Sequence, residues 1–218
     1  MREVRGQTVT TIAGRQYGGR AVTERKAERR QRFLDAAIRI FGERGYANCS
    51  LADVCAAASL SKRQFYEEFE TREDILVAAY DQIQDEATAA LATALSDVGP
   101  NPNAKDTVTR VLSSFLVSIG SDPYRAKLAF VEVVGVSERM EQHRRARRHR
   151  WTDVLLMSVE PLAGAGAHAR VNPELAISAL IGAVNGLAHE WLLSDPRPPV
   201  SDLVELLVPM ALSLIARD

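Results

Sequence analysis

Apolar residues recur at helical spacing in three short segments between residues 23 and 70. In the first segment, Phe33, Ala37 and Phe41 stand four residues apart and share one helix face. The second and third segments each follow a serine suited to cap a helix, Ser50 and Ser61. Three helices in close succession predict a small helical unit at this end of the chain.

The rest of the chain repeats this pattern in longer segments, and we find no convincing period-two alternation of the kind a strand shows. A fourth helix is predicted from near Thr71, and the turn-rich sequence GPNPN at 99–103 follows its end. Asp-Pro at 122–123 and Asn-Pro at 172–173 each place a cap before a proline at the first helical position. The other predicted segments are a fifth helix with apolar positions from Val108 to Ile119, a seventh from about Ser137 to about Val159, and a ninth capped by Ser201 that holds Pro209. The sequence therefore predicts an all-α fold of about nine helices.

Charge is divided unequally along the chain, although the formal net charge of its 218 residues is only -1. Residues 1–72 carry 14 Lys and Arg against 9 Asp and Glu, about +5, so the remaining residues carry about -6. This asymmetry indicates a basic module on a more acidic body. We predict a flexible basic arm at 1–22, a basic three-helix head at 23–70 and a helical body at 71–218.

The second and third segments fit a helix-turn-helix, in which two helices touch through small residues and the second enters the major groove. Ala58 and a turn at Ser59 meet the first requirement. If Phe65 and Phe69 point inward, the opposite helix face is polar. That face carries Arg63, Gln64 and Glu67, with Lys62 and Tyr66 beside them. Arg and Gln suit base edges, whereas Lys and Tyr suit phosphate oxygens.

Residues 33–80, FLDAAIRIFGERGYANCSLADVCAAASLSKRQFYEEFETREDILVAAY, resemble the DNA-binding domain of the tetracycline-repressor (TetR) family of bacterial transcriptional regulators. The resemblance lies in AA-x-x-x-F-x-x-x-GY of the first helix, S-K-x-x-x-Y-x-x-F of the third and E-x-x-L of the fourth. It implies a ligand-responsive regulator, a repressor more readily than an activator, that binds double-stranded DNA at a palindromic operator. The expected DNA contacts are Ser50, Ser61, Lys62, Arg63, Gln64, Tyr66, Glu67 and Arg72.

The third segment departs from the family by being acidic at its end. Glu67 and Glu68 stand where the family often has His or Tyr, and Ser59 stands where it usually has Gly. We expect Glu67 either to accept from cytosine N4 or to orient Arg63, one turn earlier, toward a guanine; a plain solvated carboxylate is the alternative. Glu68 is expected to contact the first helix.

The predicted seventh helix contains RMEQHRRARRHRW, with six arginines between 139 and 150. Arg144 and Arg147 fall on the face of Met140 and Trp151, whereas Arg139, Arg145 and Arg150 point elsewhere. An arginine on an apolar face needs an anion, because an unpaired buried charge is costly. Either Glu86 of the fourth helix pairs internally with Arg144 or Arg147, or these arginines bind the carboxylate or phosphate of an effector. Exposure at the rim of the body or a contact in a dimer is the third alternative. The candidate effector site comprises Phe115, His143, Arg144, Arg147, Trp151 and Glu86.

The last two helices are long and apolar, and the resemblance implies that they pack against a second copy in a homodimer. ALIGAVNGLAHEW offers small residues for close approach, and its polar residues argue against a membrane span. The four histidines lack zinc spacing, and neither a phosphate loop nor a GxSxG motif occurs. We therefore expect no cofactor, no metal and no enzyme activity, in a cytoplasmic protein. An effector-independent DNA-binding protein is the remaining alternative.

Overall fold

All regular structure in the described part of the chain is helical, in agreement with the predicted all-α class. The computed structural model describes residues 16–97, 103–120, 122–163 and 172–215. Within these ranges the α-helices are α1 (Gln16–Arg44), α2 (Leu51–Ala58), α3 (Lys62–Tyr66), α4 (Arg72–Ser96), α5 (Ala104–Gly120), α6 (Pro123–Lys127), α7 (Glu138–Ala163), α8 (Pro173–Leu193) and α9 (Val200–Ile215). A 3-10 turn at Tyr46–Asn48 follows α1, and a π-helical turn at Leu128–Glu132 follows α6.

Three predicted boundaries differ from the structure. The first helix begins at Gln16 and not at Thr23, so residues 16–22 of the predicted arm are helical. The strong helix formers lie at 24–32, and a helix that has formed there extends toward its N-terminus by one hydrogen bond per residue. Residues 1–15 of the arm lie outside the described residues. The ninth helix begins at Val200, so Ser201 is in its first turn instead of capping it. The third helix ends at Tyr66, so Glu67 and Phe69, which were predicted to lie on its faces, come after its last residue.

Three capping boxes define where the helices around the turn begin. In each, a hydroxyl accepts from the backbone N–H three residues later, and the side chain of that later residue accepts from the backbone of the cap. The pairs are Ser50–Asp53, Ser61–Gln64 and Thr71–Asp74. Such caps each stabilise a helix start by about 1 kcal/mol, so the starts of α2, α3 and α4 are strongly specified.

The core of the head is aromatic. Phe33 of α1 meets Phe65 and Phe69 edge to face, with ring centroids 5.5 and 6.2 Å apart. All three side chains are buried, as the inward placement of Phe65 and Phe69 required. Phe69 lies beyond the end of α3, in the turn before α4. This cluster holds α3 against α1 and leaves its opposite face to solvent.

Close contacts with α6 and with the π-helical turn fix the head on the body. The α1 helix passes so close to α6 that a Cβ on Gly42 would lie 2.5 Å from the Tyr124 carbonyl oxygen. Just beyond α1, the Tyr46 N–H donates to Glu132 Oε2 at 2.8 Å. The α4 helix then continues the chain from the head into the body, where it packs against α5. The orientation of the head therefore depends on α4 and α6.

The α8 and α9 helices expose apolar surface. By length and composition Glu174–Leu193 could cross a membrane, but one such helix is weak evidence for a span, and α8 packs in the bundle against α7 and α9. Its Val184, Ala188 and Trp191 are buried. On another face, a Cβ placed on Gly182 or Gly186 would have no described atom within 4 Å apart from the neighbouring residues and backbone of α8 itself. The exposed large apolar residues of the two helices are Leu175, Leu193, Leu206 and Met210.

Candidate nucleic-acid interface and effector site

The turn between α2 and α3 depends on Ser59. This residue has left-handed backbone angles, φ 54° and ψ 44°, which fits the strained turn position inferred from the sequence. Arg32 of α1 donates through Nη2 to the carbonyls of Ala58 at 2.8 Å and Ser59 at 3.3 Å. The last carbonyl of α2 and the carbonyl of its cap thereby have a donor, and the turn is fixed to α1.

The outward face of α3 is open to solvent. Tyr66 is 61% exposed, the Arg63 side chain is 92% exposed, and Lys62 is exposed. Gln64 is half-buried, and its Oε1 accepts from the N–H and the hydroxyl of Ser61 at 2.9 and 3.0 Å. Ser61 and Gln64 therefore cap α3, a role that the S-x-x-Q spacing could have indicated.

The acidic end of α3 is neutralised from α1. Glu68 has a side chain only 2% exposed, and its Oε1 accepts from Arg29 Nε at 3.0 Å and Nη2 at 2.7 Å. Its predicted contact with the first helix is confirmed. Glu67 lies 3.3 Å from Arg29 Nη2 and 3.6 Å from Arg63 Nε. Two arginines thus share this carboxylate, which reduces the repulsion that it would exert on a phosphate.

Two of the predicted DNA contacts, Ser50 and Arg72, have partners inside the head. Hydrogen bonds from Ser50 lower the pKa of Asp53, its capping-box partner. The Arg72 guanidinium donates to the Cys49 carbonyl oxygen and lies 4.2 Å from the centroid of the Tyr46 ring. Arg72 therefore connects the start of α4 to the 3-10 turn after α1.

The six predicted effector residues have different partners in the structure. Phe115 and Trp151 meet edge to face, with ring centroids 5.2 Å apart. Arg144 Nη1 binds both carboxylate oxygens of Glu141, at 2.8 and 2.9 Å. His143 and Arg147 face α4. His143, Arg147 and Trp151 each contact α4, so these three lie on one side of α7, whereas Phe115 belongs to α5.

Glu86 does not pair with Arg144 or Arg147, so the predicted internal partner is wrong. Its Oε2 accepts from Arg125 Nη2 of α6 at 2.6 Å. Asp81 and Asp85, four residues apart, occupy the α4 face that meets α7. Glu86 is one residue further, about 100° around the helix, and so faces α6.

Four residues of α7 at four-residue spacing donate to α4, and we call these contacts the α7–α4 ladder. Arg139 is part of it, although it was predicted to point elsewhere. The distances are 2.6 Å from Arg139 to Asp74, 2.8 Å from His143 to Asp81, 2.6 Å from Arg147 to Asp85, and 2.8 Å from Trp151 Nε1 to Gln84 Oε1. The spacing of residues 139, 143, 147 and 151 was a signal that sequence reasoning missed.

Three groups in or beside the ladder have shifted pKa values. Burial would raise the pKa of Asp74, but hydrogen bonds from Arg139 and Thr71 outweigh it and lower that pKa. The hydrogen bond from Arg139 to Asp74 also raises the pKa of the Arg139 guanidinium. Burial raises the pKa of Tyr80, which lies beside the ladder, against the opposing effect of Arg144 and Arg147.

One donor in the ladder has no acceptor. Arg147 Nε is buried without a hydrogen-bond partner, the only such side-chain atom among the described residues. The nearest carboxylate oxygen is Asp81 Oδ1 at 3.6 Å, and that oxygen already binds His143. Across the described residues no group of three or more His, Cys, Asp or Glu could hold a metal ion.

Two family models match the chain. Residues 33–79 match bacterial regulatory proteins of the tetR family, and residues 104–215 match the C-terminal part of BetI-type transcriptional repressors. No curated protein sequence matches at a significant level.

Solved structures of regulators share the fold. The fatty acid degradation regulator FadR from Bacillus halodurans has a TM-score of 0.73 at 15% identity, over 84% of this chain and 94% of that chain. FadR from Bacillus subtilis, solved in complex with stearoyl-CoA, has a TM-score of 0.72 at 17% identity, over 85% and 99%. A TetR-like regulator from Rhodococcus sp. RHA1 has a TM-score of 0.66 at 22% identity, over 87% and 97%.

Proposed function

Because the chain belongs to the TetR family of bacterial regulatory proteins, we propose that it is a transcriptional repressor that a small molecule releases from a palindromic operator. The match to BetI-type repressors over residues 104–215 supports repression over activation. The family and fold are those of regulators and not of enzymes. The observation that carries the proposal is a capped α3 whose aromatic side is buried on α1 and whose outward side presents exposed Lys62, Arg63 and Tyr66.

Lys62 and Tyr66 are the residues proposed to hold phosphates, because both are exposed on α3 and neither is needed by the core. Arg63 is proposed to read a base edge, with Glu67 limiting its rotamers through their contact at 3.6 Å. Ser50, Ser61, Gln64 and Arg72 have capping or packing roles, so any DNA contact from them is secondary to fixing the helix-turn-helix.

The proposed repressor is a homodimer through α8 and α9. Gly182 and Gly186 leave room for a second helix, and exposed Leu206 and Met210 supply apolar surface. Burying this surface against a symmetry mate would remove an unfavourable exposure to water. Two heads related by a two-fold axis then require an operator with two related half-sites.

The proposed effector is an amphiphilic anion. The Bacillus subtilis structure that shares this fold contains stearoyl-CoA, an apolar chain joined to phosphates. In the present chain, the adjoining Phe115 and Trp151 rings offer an apolar wall one turn from Arg147. An effector-independent DNA-binding protein remains the second candidate, and a ligand that changes operator affinity would exclude it.

Replacing Lys62 and Tyr66 together by alanine is expected to weaken binding to a DNA fragment from the upstream region of the coding sequence by at least about tenfold. The loss follows from removing phosphate contacts, so the slope of log affinity against log salt should fall by about two for a dimer that loses one lysine contact per head. Fluorescence anisotropy over a salt series measures both effects. The control is Lys105→Ala, which removes an exposed lysine of α5 and should leave both unchanged. Equal binding by the double variant and the control would refute the proposed interface.

Replacing Glu67 by alanine is expected to lower the preference for the operator over unrelated DNA, because Arg63 loses the carboxylate that orients it. Discrimination should fall by about 1 kcal/mol or more, with little change in non-specific binding. Competition anisotropy with operator and scrambled duplexes gives the ratio. Glu28→Ala, which removes the same charge from exposed α1, is the control. Uniform tightening on every duplex would instead mean that Glu67 acts only by repelling phosphate.

A further inference from the structure

Arg147 has an incomplete set of acceptors. Its side chain is 8% exposed, and its Nη2 binds Asp85 Oδ1 at 2.6 Å. Its Nε is buried without a hydrogen-bond partner. A buried guanidinium is most stable when a single oxyanion accepts from Nε and an Nη together, in parallel hydrogen bonds. Asp85 accepts from Nη2, and Nε has no acceptor.

The two carboxylates near Arg147 are held differently. Asp81 Oδ1 binds His143 at 2.8 Å, so it is fixed in the α7–α4 ladder. The Asp85 side chain is 68% exposed, and Arg147 is its ion-pair partner. An exposed carboxylate that leaves such a pair is hydrated by water, so its release costs little. Arg147, by contrast, must keep an anion. Asp85 is therefore the partner that can be exchanged.

Arg144 does not share this property. Both oxygens of Glu141 bind its Nη1. Glu141 is itself fixed by the Gly135 N–H at 2.8 Å, and this hydrogen bond and the arginine lower the pKa of its carboxyl group. Of the two arginines that the sequence placed on this face, Arg147 is the one with a buried donor that has no acceptor.

We propose that Arg147 binds the oxyanion of the effector and that Asp85 is a resident competitor that occupies Arg147 until the effector displaces it. The ligand class is an amphiphile whose carboxylate or phosphate takes Nε and Nη2, with its apolar part against Phe115 and Trp151, about 6 Å along α7. This inference rests on the proposed function, because it supplies the site of induction. The exchange removes one contact of the ladder that holds α4, the helix that leads back to the head.

The experiment is a calorimetric titration of the full chain with dodecanoate, dodecyl phosphate and neutral dodecanol, each below its micelle concentration. These probes share one chain length, so the first two separate carboxylate from phosphate and the third removes the charge. Asp85→Asn is expected to tighten binding of at least one anion about tenfold, because the competitor for Arg147 is gone, and to leave dodecanol unchanged. Arg147→Gln is expected to weaken the same anion about tenfold.

The matched control is Glu70→Gln. Glu70 lines the same groove of about 880 Å³ as Asp85 and carries the same charge, but it belongs to the turn before α4. If Glu70→Gln tightens the anions as much as Asp85→Asn does, the effect is general electrostatics and the proposal is overturned. It is also overturned if neither anion binds the Asp85→Asn protein, or if dodecanol responds equally. Asp85 is exposed, so this variant should fold even if Arg147→Gln does not.

Operator binding measured in parallel separates the two proposals. If the protein binds DNA sequence-specifically but its anion affinities do not change in the Asp85→Asn variant, the proposed exchange at Arg147 is refuted and the proposed regulatory function is not. If the anion affinities change in the Asp85→Asn variant but the protein shows no sequence-specific DNA binding, the proposed regulatory function is refuted and the proposed ligand site is not.

Discussion

Replacing Arg29 by methionine is expected to destabilise the head by about 3 kcal/mol and to abolish operator binding. The substitution removes both hydrogen bonds to Glu68, whose carboxylate is almost completely buried between α1 and the turn after α3. A carboxylate left unpaired in that position must either draw in water or take up a proton, and both displace α3 from α1. Methionine keeps most of the volume of the arginine stem, so the loss reports the missing charge and not a cavity.

Urea unfolding followed by two signals tests this expectation. Both tryptophans, Trp151 and Trp191, belong to the body, so fluorescence follows the body and far-ultraviolet circular dichroism follows all helices. Arg29→Met should separate the two transitions, with the dichroism changing first. The exposed Lys26→Met on the same helix is the control. The double variant Arg29→Met/Glu68→Leu should recover much of the stability, because an apolar pair can replace a buried ion pair. If Arg29→Met unfolds like the control, the ion pair contributes nothing.

The head could be predicted from sequence because its determinants are local. A serine three residues before Asp53 or Gln64 and aromatic residues four apart specify α2 and α3 without knowledge of the remaining fold. The contact of Glu68 with α1 could be predicted, because helical spacing places Glu68 on the inward side of the third segment. Its partner, Arg29, could not, because that choice depends on how α1 lies across α3.

Partners in the body could not be predicted for the same reason. Periodicity placed Arg147 on an apolar face and so required an anion, which the structure supplies as Asp85 and, at longer range, Asp81. It did not give the register of α7 on α4. The predicted partner, Glu86, is therefore one residue away from the observed partner, Asp85. In a helix one residue is about 100°, enough to turn the carboxylate from α7 to α6.

Replacing Gly42 by alanine is expected to destabilise the protein by about 2 kcal/mol and to weaken operator binding. The new Cβ would lie 2.5 Å from the Tyr124 carbonyl oxygen and 2.6 Å from the Tyr124 Cα, both backbone atoms that no rotamer change can move. The α1 helix must therefore shift away from α6. Because α1 carries Arg29, Arg32 and Phe33, the shift is passed to α3 and the turn before it.

The direction in which Gly42→Ala changes the free energy of unfolding tests whether α1 and α6 are in close contact at Gly42. In a helix interior free of contacts, Gly→Ala stabilises by about 1 kcal/mol, so a gain in the urea midpoint for Gly42→Ala would mean that α1 and α6 are further apart. The neighbouring Glu43→Ala, exposed on α1, is the control for a change in this turn of the helix. A loss of stability with unchanged operator affinity would show that the head tolerates movement of α1 against α6. A loss of both would show that the α1–α6 contact sets the position of α3, so an effector that moves α6 can act on DNA binding through it.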